Sequence, residues 1–258
     1  DMSNIDIGLG SASIWFSWRN ITAAKSNNQF SIIHPTTGTG NITLNLTIPD
    51  GGYNISDLNN YLRYYLIYNG YYIQNTTTNE QIVYCKFQVN PSIYAIEFVS
   101  YPLPISLPAG YTAGSTITFP DSTRTPQLVV SQPNFGTIIG FATGTFPAAQ
   151  PIVLTTSTST LVPQVSDVTN VVLTLDSAMN PFAPNSKVIH SISPAGYSYA
   201  SLIKSEPNEI SWVPQQSGWR QSITIQLVNQ NLIPLEQFDT DVTIKLLLRY
   251  RDQSSVNR

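Results

Sequence analysis

Residues 41–48 of the chain read Asn-Ile-Thr-Leu-Asn-Leu-Thr-Ile, with an apolar side chain at every second position. The same alternation recurs over residues 83–89, 94–98, 223–227 and 242–248. A period of two gives a strand one buried and one wet face, which is typical of antiparallel sheets rather than of parallel βαβ units. Clusters of proline and glycine separate these runs, so the sequence predicts many short strands in a sandwich or barrel.

The strand-like runs also suggest how the chain is divided. Eight of them lie outside the middle of the chain, around residues 10–17, 29–34, 41–48, 169–176, 187–193, 208–213, 221–228 and 240–250. Eight strands make a jelly roll. We therefore predict an all-β jelly-roll β-sandwich formed by residues 1–49 and 166–258. Residues 50–165 are then an inserted or decorating α+β segment with one helix, and a continuous domain over residues 1–258 is the alternative.

One stretch has the period of a helix instead. Apolar residues at positions i, i+3, i+4, i+7 and i+8 are Leu58, Tyr61, Leu62, Tyr65 and Leu66. Ser56 is a plausible N-cap, and Asn69-Gly70 supplies a stop signal. The other side carries Tyr64 and Tyr68, so most of the circumference is apolar. Such a helix is usually covered on both sides, either by a sheet and a long loop or by a neighbouring subunit.

A polar tract of low complexity, Thr-Thr-Ser-Thr-Ser-Thr, occupies residues 155–160. It follows the glycine-containing stretch 140–144. Composition of this kind is typical of an exposed connector. We therefore expect a domain boundary close to this tract.

The chain carries few charges for its size. Its 258 residues include 12 Lys+Arg and 15 Asp+Glu, with a net charge of −3 and a pI of about 5.2. Because there are so few basic residues, they cannot line a surface that neutralises nucleic-acid phosphates. Nucleic-acid binding is therefore not expected. Two histidines and one cysteine cannot build a zinc site or a disulfide framework. The apolar runs are too short for a membrane span.

The sequence offers no recognisable reaction centre. His34 and His190 lie in strand-like runs without a nucleophile motif, and Cys85 alternates with core positions. Glu236, Asp239 and Asp241 lie close together near a turn, but their spacing matches no calcium loop and favours a solvated turn. We expect no enzymatic activity and no cofactor. A further hypothesis is a glycoside hydrolase on a jelly roll, whose two catalytic carboxylates would come from positions far apart in the sequence.

Five stretches together resemble a known family. They are residues 13–21 (SIWFSWRNI), 27–30 (NNQF), 47–62 (TIPDGGYNISDLNNYL), 138–141 (IIGF) and 239–249 (DTDVTIKLLLR). In this order and spacing they resemble the minor capsid, or penton, proteins of Polinton (Maverick) elements and of their virophage and adenovirus-like relatives. The resemblance spans nearly the whole chain.

The resemblance implies a jelly-roll protein that assembles as a homopentamer at the fivefold vertices of an icosahedral capsid. Its partners would be its own copies and a double-jelly-roll major capsid protein, and its location the virion, with an intracellular phase during assembly. A cyclic pentamer needs two different complementary patches on each subunit. Neutral polar and aromatic residues suit such patches because charges are costly to desolvate. We therefore expect a subunit interface at Tyr61, Tyr64, Tyr65 and Tyr68, with charged residues clustered elsewhere.

A second hypothesis is a carbohydrate- or receptor-binding β-sandwich, such as a fibre-head or lectin-like module. Exposed indole rings would then stack on sugars, and the candidates are Trp15, Trp18, Trp212 and Trp219. We expect Trp15 and Trp18 to pack in the core instead, because tryptophan is mostly buried in folded domains.

Overall fold

The computed structural model describes residues 4–183 and 185–251, and these contain 17 strands and two helices. The strands are β1 Ile5–Trp15, β2 Gln29–Pro35, β3 Asn41–Thr47, β4 Ile73–Asn75, β5 Gln81–Ile82, β6 Cys85–Asn90, β7 Ala95–Ser100, β8 Tyr111–Ala113, β9 Gln127–Val130, β10 Gly144–Phe146, β11 Thr155–Thr158, β12 Val171–Leu175, β13 Val188–Ile192, β14 Leu202–Ser205, β15 Val213–Pro214, β16 Ile225–Asn229 and β17 Val242–Tyr250. The helices are α1 Ile55–Tyr68 and α2 Pro133–Ile139. Every strand pairing in these two ranges is antiparallel, so the predicted all-β class is confirmed.

The chain divides into two compact units, and they differ from the predicted domains at the first boundary. Unit 1 comprises residues 1–19 and 167–258, and unit 2 comprises residues 20–166. The predicted boundary after residue 49 is corrected to residue 19. The physical reason is strand pairing, since β2 and β3 pair with each other and β2 pairs with β9 of unit 2.

Unit 1 is built around β1. Strand β17 pairs along one side of β1, and β14 and β15 pair along the other. A second sheet has the order β13-β12-β16. Both sheets supply side chains to one core, including Ile14 of β1 and Leu173 of β12. Alternation along each strand therefore produces a sandwich, with the core between the sheets.

Unit 2 contains three sheets, with the orders β10-β9-β2-β3, β11-β7-β6 and β5-β4-β8. The first two share a core with both helices, and Phe30, Leu62, Phe98 and Phe135 are among its buried residues. A smaller apolar cluster lies around Ile73 and involves β4.

Helix α1 begins two residues earlier than predicted. Its N-cap is Asn54, not Ser56, and Asn54 and Asp57 exchange hydrogen bonds between side chain and backbone N–H in a capping box. The predicted stop is confirmed, since Asn69 is the C-cap. An asparagine N-cap and an acidic N3 residue satisfy two N–H groups that the first turn leaves unpaired.

Three further local differences from the sequence reading stand out. The tract predicted to be a connector contains strand β11, which pairs with β7, because its threonines are β-branched and fit a pleated sheet. Strand β14 and helix α2 were not predicted. The run expected at residues 208–213 is mostly non-strand and ends in the two-residue β15.

Among the described residues, no helix is long and apolar enough to cross a membrane.

Candidate subunit-contact surfaces

The four tyrosines predicted to form an interface separate into an inner and an outer pair. The inner pair serves unit 2 itself. The Tyr61 hydroxyl donates to the Thr47 carbonyl oxygen at 2.6 Å, and the Tyr65 hydroxyl donates to the Asn45 carbonyl oxygen at 3.1 Å. Burial, followed by the neighbouring Tyr65 and Tyr64, raises the pKa of Tyr61. These two side chains therefore cover strand β3, an edge of their own sheet.

The outer pair, Tyr64 and Tyr68, faces solvent. Their side chains are 62% and 76% exposed, and the rings stack with centroids 5.8 Å apart and an interplanar angle of 25°. Residues four apart lie one above the other on a helix face, which explains the stacking. The pair presents a broad aromatic surface beside Arg63, which is also exposed. Of the four predicted residues, these two are available for contact with a partner.

A second apolar surface was missed by the sequence reading. It lies in the stretch between Arg124 and Asp167, which contains no Asp, Glu, Lys, Arg or His. Aliphatic side chains that are more than half exposed flank β11 on both sides, namely Ile152, Val153, Leu154, Leu161 and Val162. The signal that could have found them is this long gap in charge, together with apolar triplets on either side of the polar tract.

Strand β11 leaves one side unpaired. It lies at the edge of the sheet β11-β7-β6. The Ser159 N–H donates to the Ile96 carbonyl at 2.8 Å, so the odd-numbered residues of this segment direct their backbone groups toward β7. The backbone N–H and C=O of Thr156 and Thr158 therefore point to the open edge. The strand is short, at four residues, and it has no lysine, proline or bulge, which are other usual protections of an exposed edge.

The face of this sheet carries one carboxylate, and it is already engaged. Glu97 of β7 accepts hydrogen bonds from the side-chain amides of Asn90 and Gln88, each at 2.7 Å. These two hydrogen bonds lower the pKa of Glu97. Lys86 on the same strand as Gln88 lies 5.9 Å from the centroid of the Tyr101 ring. The charged side chains of this sheet thus lie on β6 and β7, and β11 itself has none.

The residues considered for chemistry lie apart. His34 is buried on β2, and burial lowers its pKa to about 4 despite a hydrogen bond between Nδ1 and the Pro35 carbonyl oxygen. Burial also lowers the pKa of His190, which is on β13. Cys85 is confirmed as a core residue, and burial raises its pKa to about 12. No group of three His, Cys, Asp or Glu residues that could hold a metal occurs in residues 4–183 and 185–251.

The four tryptophans differ in their surroundings. Trp18 is buried and stacks on Phe16 with centroids 4.3 Å apart, whereas Trp15 is only partly buried. Trp212 lies under the Arg249 guanidinium, whose Cζ is 4.5 Å from the centroid of the indole ring. Trp219 is 88% exposed on the loop between β15 and β16. Of the four, Trp219 is therefore the one whose ring is open to a ligand.

Comparison with known proteins finds similarity at the level of structure. No family model matches the chain, and no curated protein matches it. The fold is similar to that in the crystal structure of selenomethionine-labelled mavirus penton protein, with a TM-score of 0.43 and 9% sequence identity. The matched region covers 96% of this chain and 86% of that one.

Proposed function

We propose that this chain is a structural capsid protein, a minor capsid (penton) protein that forms fivefold vertices as a homopentamer. In this role it would work in the virion beside a double-jelly-roll major capsid protein and would assemble inside the infected cell. The proposal assigns it no catalytic reaction and no cofactor. The resemblance of the five stretches described above to the Polinton and virophage penton family suggests this particular kind of capsid protein.

The observation that carries the proposal is the uncharged, apolar character of exposed surface. At least 24 large hydrophobic side chains are exposed in the part of the chain that the structure describes, nearly as many as the 27 charged residues of the whole sequence. Neutral apolar surface is buried between subunits at a lower desolvation cost than charged surface. Such a surface favours a protein that works inside an assembly.

The first experiment measures the number of copies in the assembled state. We expect native mass spectrometry of the purified chain at high concentration to detect a pentamer, and cryo-electron microscopy of particles to place it at fivefold vertices. A strict monomer at high concentration, together with particles that lack a fivefold ring of this chain, would refute the proposal.

A pair of variants tests the aromatic contact surface. Tyr64→Asn with Tyr68→Asn removes the outer tyrosines, and we expect about 10-fold to 100-fold weaker assembly because exposed aromatic anchors often dominate interfaces. The matched control is Tyr94→Asn, since Tyr94 is also 73% exposed and its φ of 51° is one that asparagine tolerates. Equal assembly of the double variant and the control would show that the outer tyrosines lie outside the contacts.

One observation favours the alternative, a carbohydrate- or receptor-binding module. Trp219 is 88% exposed, and Phe182 is exposed on the β12–β13 loop. A bridge between Ala178 and Gln215 brings this loop and the loop of Trp219 to the same end of unit 1. Exposed aromatic rings on adjacent loops can stack on sugars. Binding on a glycan array that Trp219→Ala abolishes would support this function, and a blank array would count against it.

A further inference from the structure

The segment around β11 is nearly the same read in either direction. Residues 151–163 are Pro-Ile-Val-Leu-Thr-Thr-Ser-Thr-Ser-Thr-Leu-Val-Pro, with Ser157 at the centre. A proline bounds each end, aliphatic side chains follow it, and hydroxyl residues fill the middle. Two antiparallel copies of such a segment, centred on Ser157, place residues of like character opposite each other at every position except Leu154, which is opposite Thr160.

We propose that the open edge of β11 pairs antiparallel with β11 of a second copy of this chain, about a twofold axis through Ser157. Thr156 of one copy then lies opposite Thr158 of the other. Both residues direct their N–H and C=O toward the open edge, so they can exchange the paired hydrogen bonds of an antiparallel ladder. The free edge thus has a partner with the required geometry, supplied by the same sequence.

The flanking aliphatic residues lie next to the proposed ladder, since the chain bends at residues 152–153 and 160–161 on either side of β11. With Ser157 opposite Ser157, the Ile152-Val153 flank of one copy comes to the same end of the ladder as the Leu161-Val162 flank of the other. All four side chains are more than half exposed in the single chain. One pairing therefore brings the exposed aliphatic groups at both ends of the strand together, which removes apolar surface from water at two places.

Charge favours a second copy over an unrelated strand. The edge has no charged side chain between Arg124 and Asp167, so it offers no counter-charge to an incoming one. A typical protein segment carries roughly one charged residue in four, and burying an uncompensated charge is costly. The strand from a second copy is free of charge over the same 42 residues, because it is the same segment.

The contact is small, which sets its expected strength. Strand β11 has four residues and is about 13 Å long, so the interface falls well below about 1,200 Å², the size under which contacts are weak and transient. We expect a dissociation constant between about 1 μM and 1 mM. The twofold contact is separate from fivefold assembly, and it links two chains whether or not either belongs to a pentamer.

Disulfide formation tests the register directly. At the twofold axis, Ser157 faces its own copy in a pair without hydrogen bonds, with Cα atoms about 4.5 Å apart, which lies within disulfide range. Ser157→Cys is therefore expected to give a cross-linked dimer on a non-reducing denaturing gel after mild oxidation. Thr158→Cys is the matched control, because Thr158 lies diagonal to its copy at about 7–8 Å and cannot form the bond. The native thiol, Cys85, is buried.

Charge pairing gives a second test that does not depend on Ser157. The Val153→Lys, Leu161→Lys chain and the Val153→Glu, Leu161→Glu chain should each remain unpaired at this edge, whereas their mixture should form one-to-one heterodimers. Val89→Lys is the control, since Val89 is 56% exposed on a different strand; it should leave self-association unchanged. The proposal is overturned if Ser157→Cys fails to cross-link, if Thr158→Cys cross-links equally, or if the mixture forms no heterodimer. If the edge of β11 pairs with a different protein instead of a second copy, these experiments will give the same negative results and the proposal is likewise overturned.

Discussion

His34 should make unit 2 less stable in mild acid. Phe30, Ile32 and His34 occupy alternate positions of β2, and all three are buried on the core face. The imidazole is 2% exposed, and its ring centroid lies 5.1 Å from that of Tyr71. Nδ1 lies 2.9 Å from the Pro35 carbonyl oxygen, so Nδ1 carries the hydrogen of the neutral ring. Nε2 is buried without a hydrogen-bond partner among the described residues, so a proton there would have no acceptor.

The size of the effect follows from the pKa of His34. Burial lowers it from 6.5 to about 4. The unfolded chain therefore binds a proton at a higher pH than the folded chain, and stability falls as pH decreases through the interval from about 6.5 to about 4. Each pKa unit corresponds to about 1.36 kcal/mol, so the complete loss is about 3.4 kcal/mol. Between pH 7 and pH 5 the expected loss is about 2 kcal/mol, a substantial part of the roughly 5–15 kcal/mol that stabilises a domain.

The assay compares the wild type with His34→Phe, which keeps an aromatic ring beside Tyr71 and removes the titration. The free energy of unfolding is measured by denaturant titration at pH 7, 6 and 5, with far-ultraviolet circular dichroism. Hydrogen exchange of residues 29–47 assigns the change to unit 2. The wild type should lose about 2 kcal/mol more than the variant over this interval.

His190 requires a control, because burial lowers its pKa and gives a pH dependence of the same sign. Both measurements are therefore repeated in a His190→Asn background, in which the difference due to His34 should persist. Staying above pH 5 also avoids the titration of Glu97, whose lowered pKa adds acid sensitivity at lower pH. If the wild type and His34→Phe lose stability equally between pH 7 and pH 5, the reasoning about the buried imidazole is wrong.

Two local contacts give further predictions. Arg124 donates hydrogen bonds to the backbone carbonyls of residues 36 and 38–40, so Arg124→Lys, which lacks the planar fork, should cost about 1–3 kcal/mol and speed hydrogen exchange in that turn; unchanged exchange would contradict this. Asn54→Ala should cost about 0.5–2 kcal/mol in thermal or denaturant unfolding, because it removes the N-cap of α1, whereas Ser56→Ala should cost little. The reverse order of these two losses would restore Ser56 as the cap.

The alternation of apolar residues in the sequence predicts well which face of a strand is buried, but it does not predict which strands pair with each other. In β3 and β6 the alternation correctly indicates the buried Leu44, Leu46, Cys85 and Phe87, whereas Ile42 and Val89 near the strand ends are exposed. Yet the period alone does not tell which strand lies beside β2. Its neighbour β9 is about one hundred residues away in sequence, and this pairing is what moves the boundary between the units. Non-local pairing depends on the whole core, so a local pattern cannot supply it.

The interface prediction shows the same division. The helical period correctly places tyrosines on most of the circumference of α1. It cannot show that Tyr61 and Tyr65 reach carbonyl groups of β3, because that requires the position of the helix over the sheet edge. The charge-free stretch was visible in the sequence, but its polar tract resembled a linker. Threonine serves both exposed connectors and edge strands, so composition does not distinguish them.

Several of the few charged side chains in this chain form ion pairs or hydrogen bonds within the fold. Asp6 is buried and pairs with Arg249 and Arg251 at 3.1 and 3.0 Å, Glu97 is held by two amides, and Arg124 is surrounded by carbonyl groups. These contacts engage the charged groups within the fold, although the Arg249 and Arg251 side chains remain 51% and 41% exposed. With a net charge of −3 over 258 residues, the repulsion that normally keeps chains apart is weak. A protein that works as a separate monomer at high concentration gains nothing from such a surface, whereas one that meets its own copies in an assembly does.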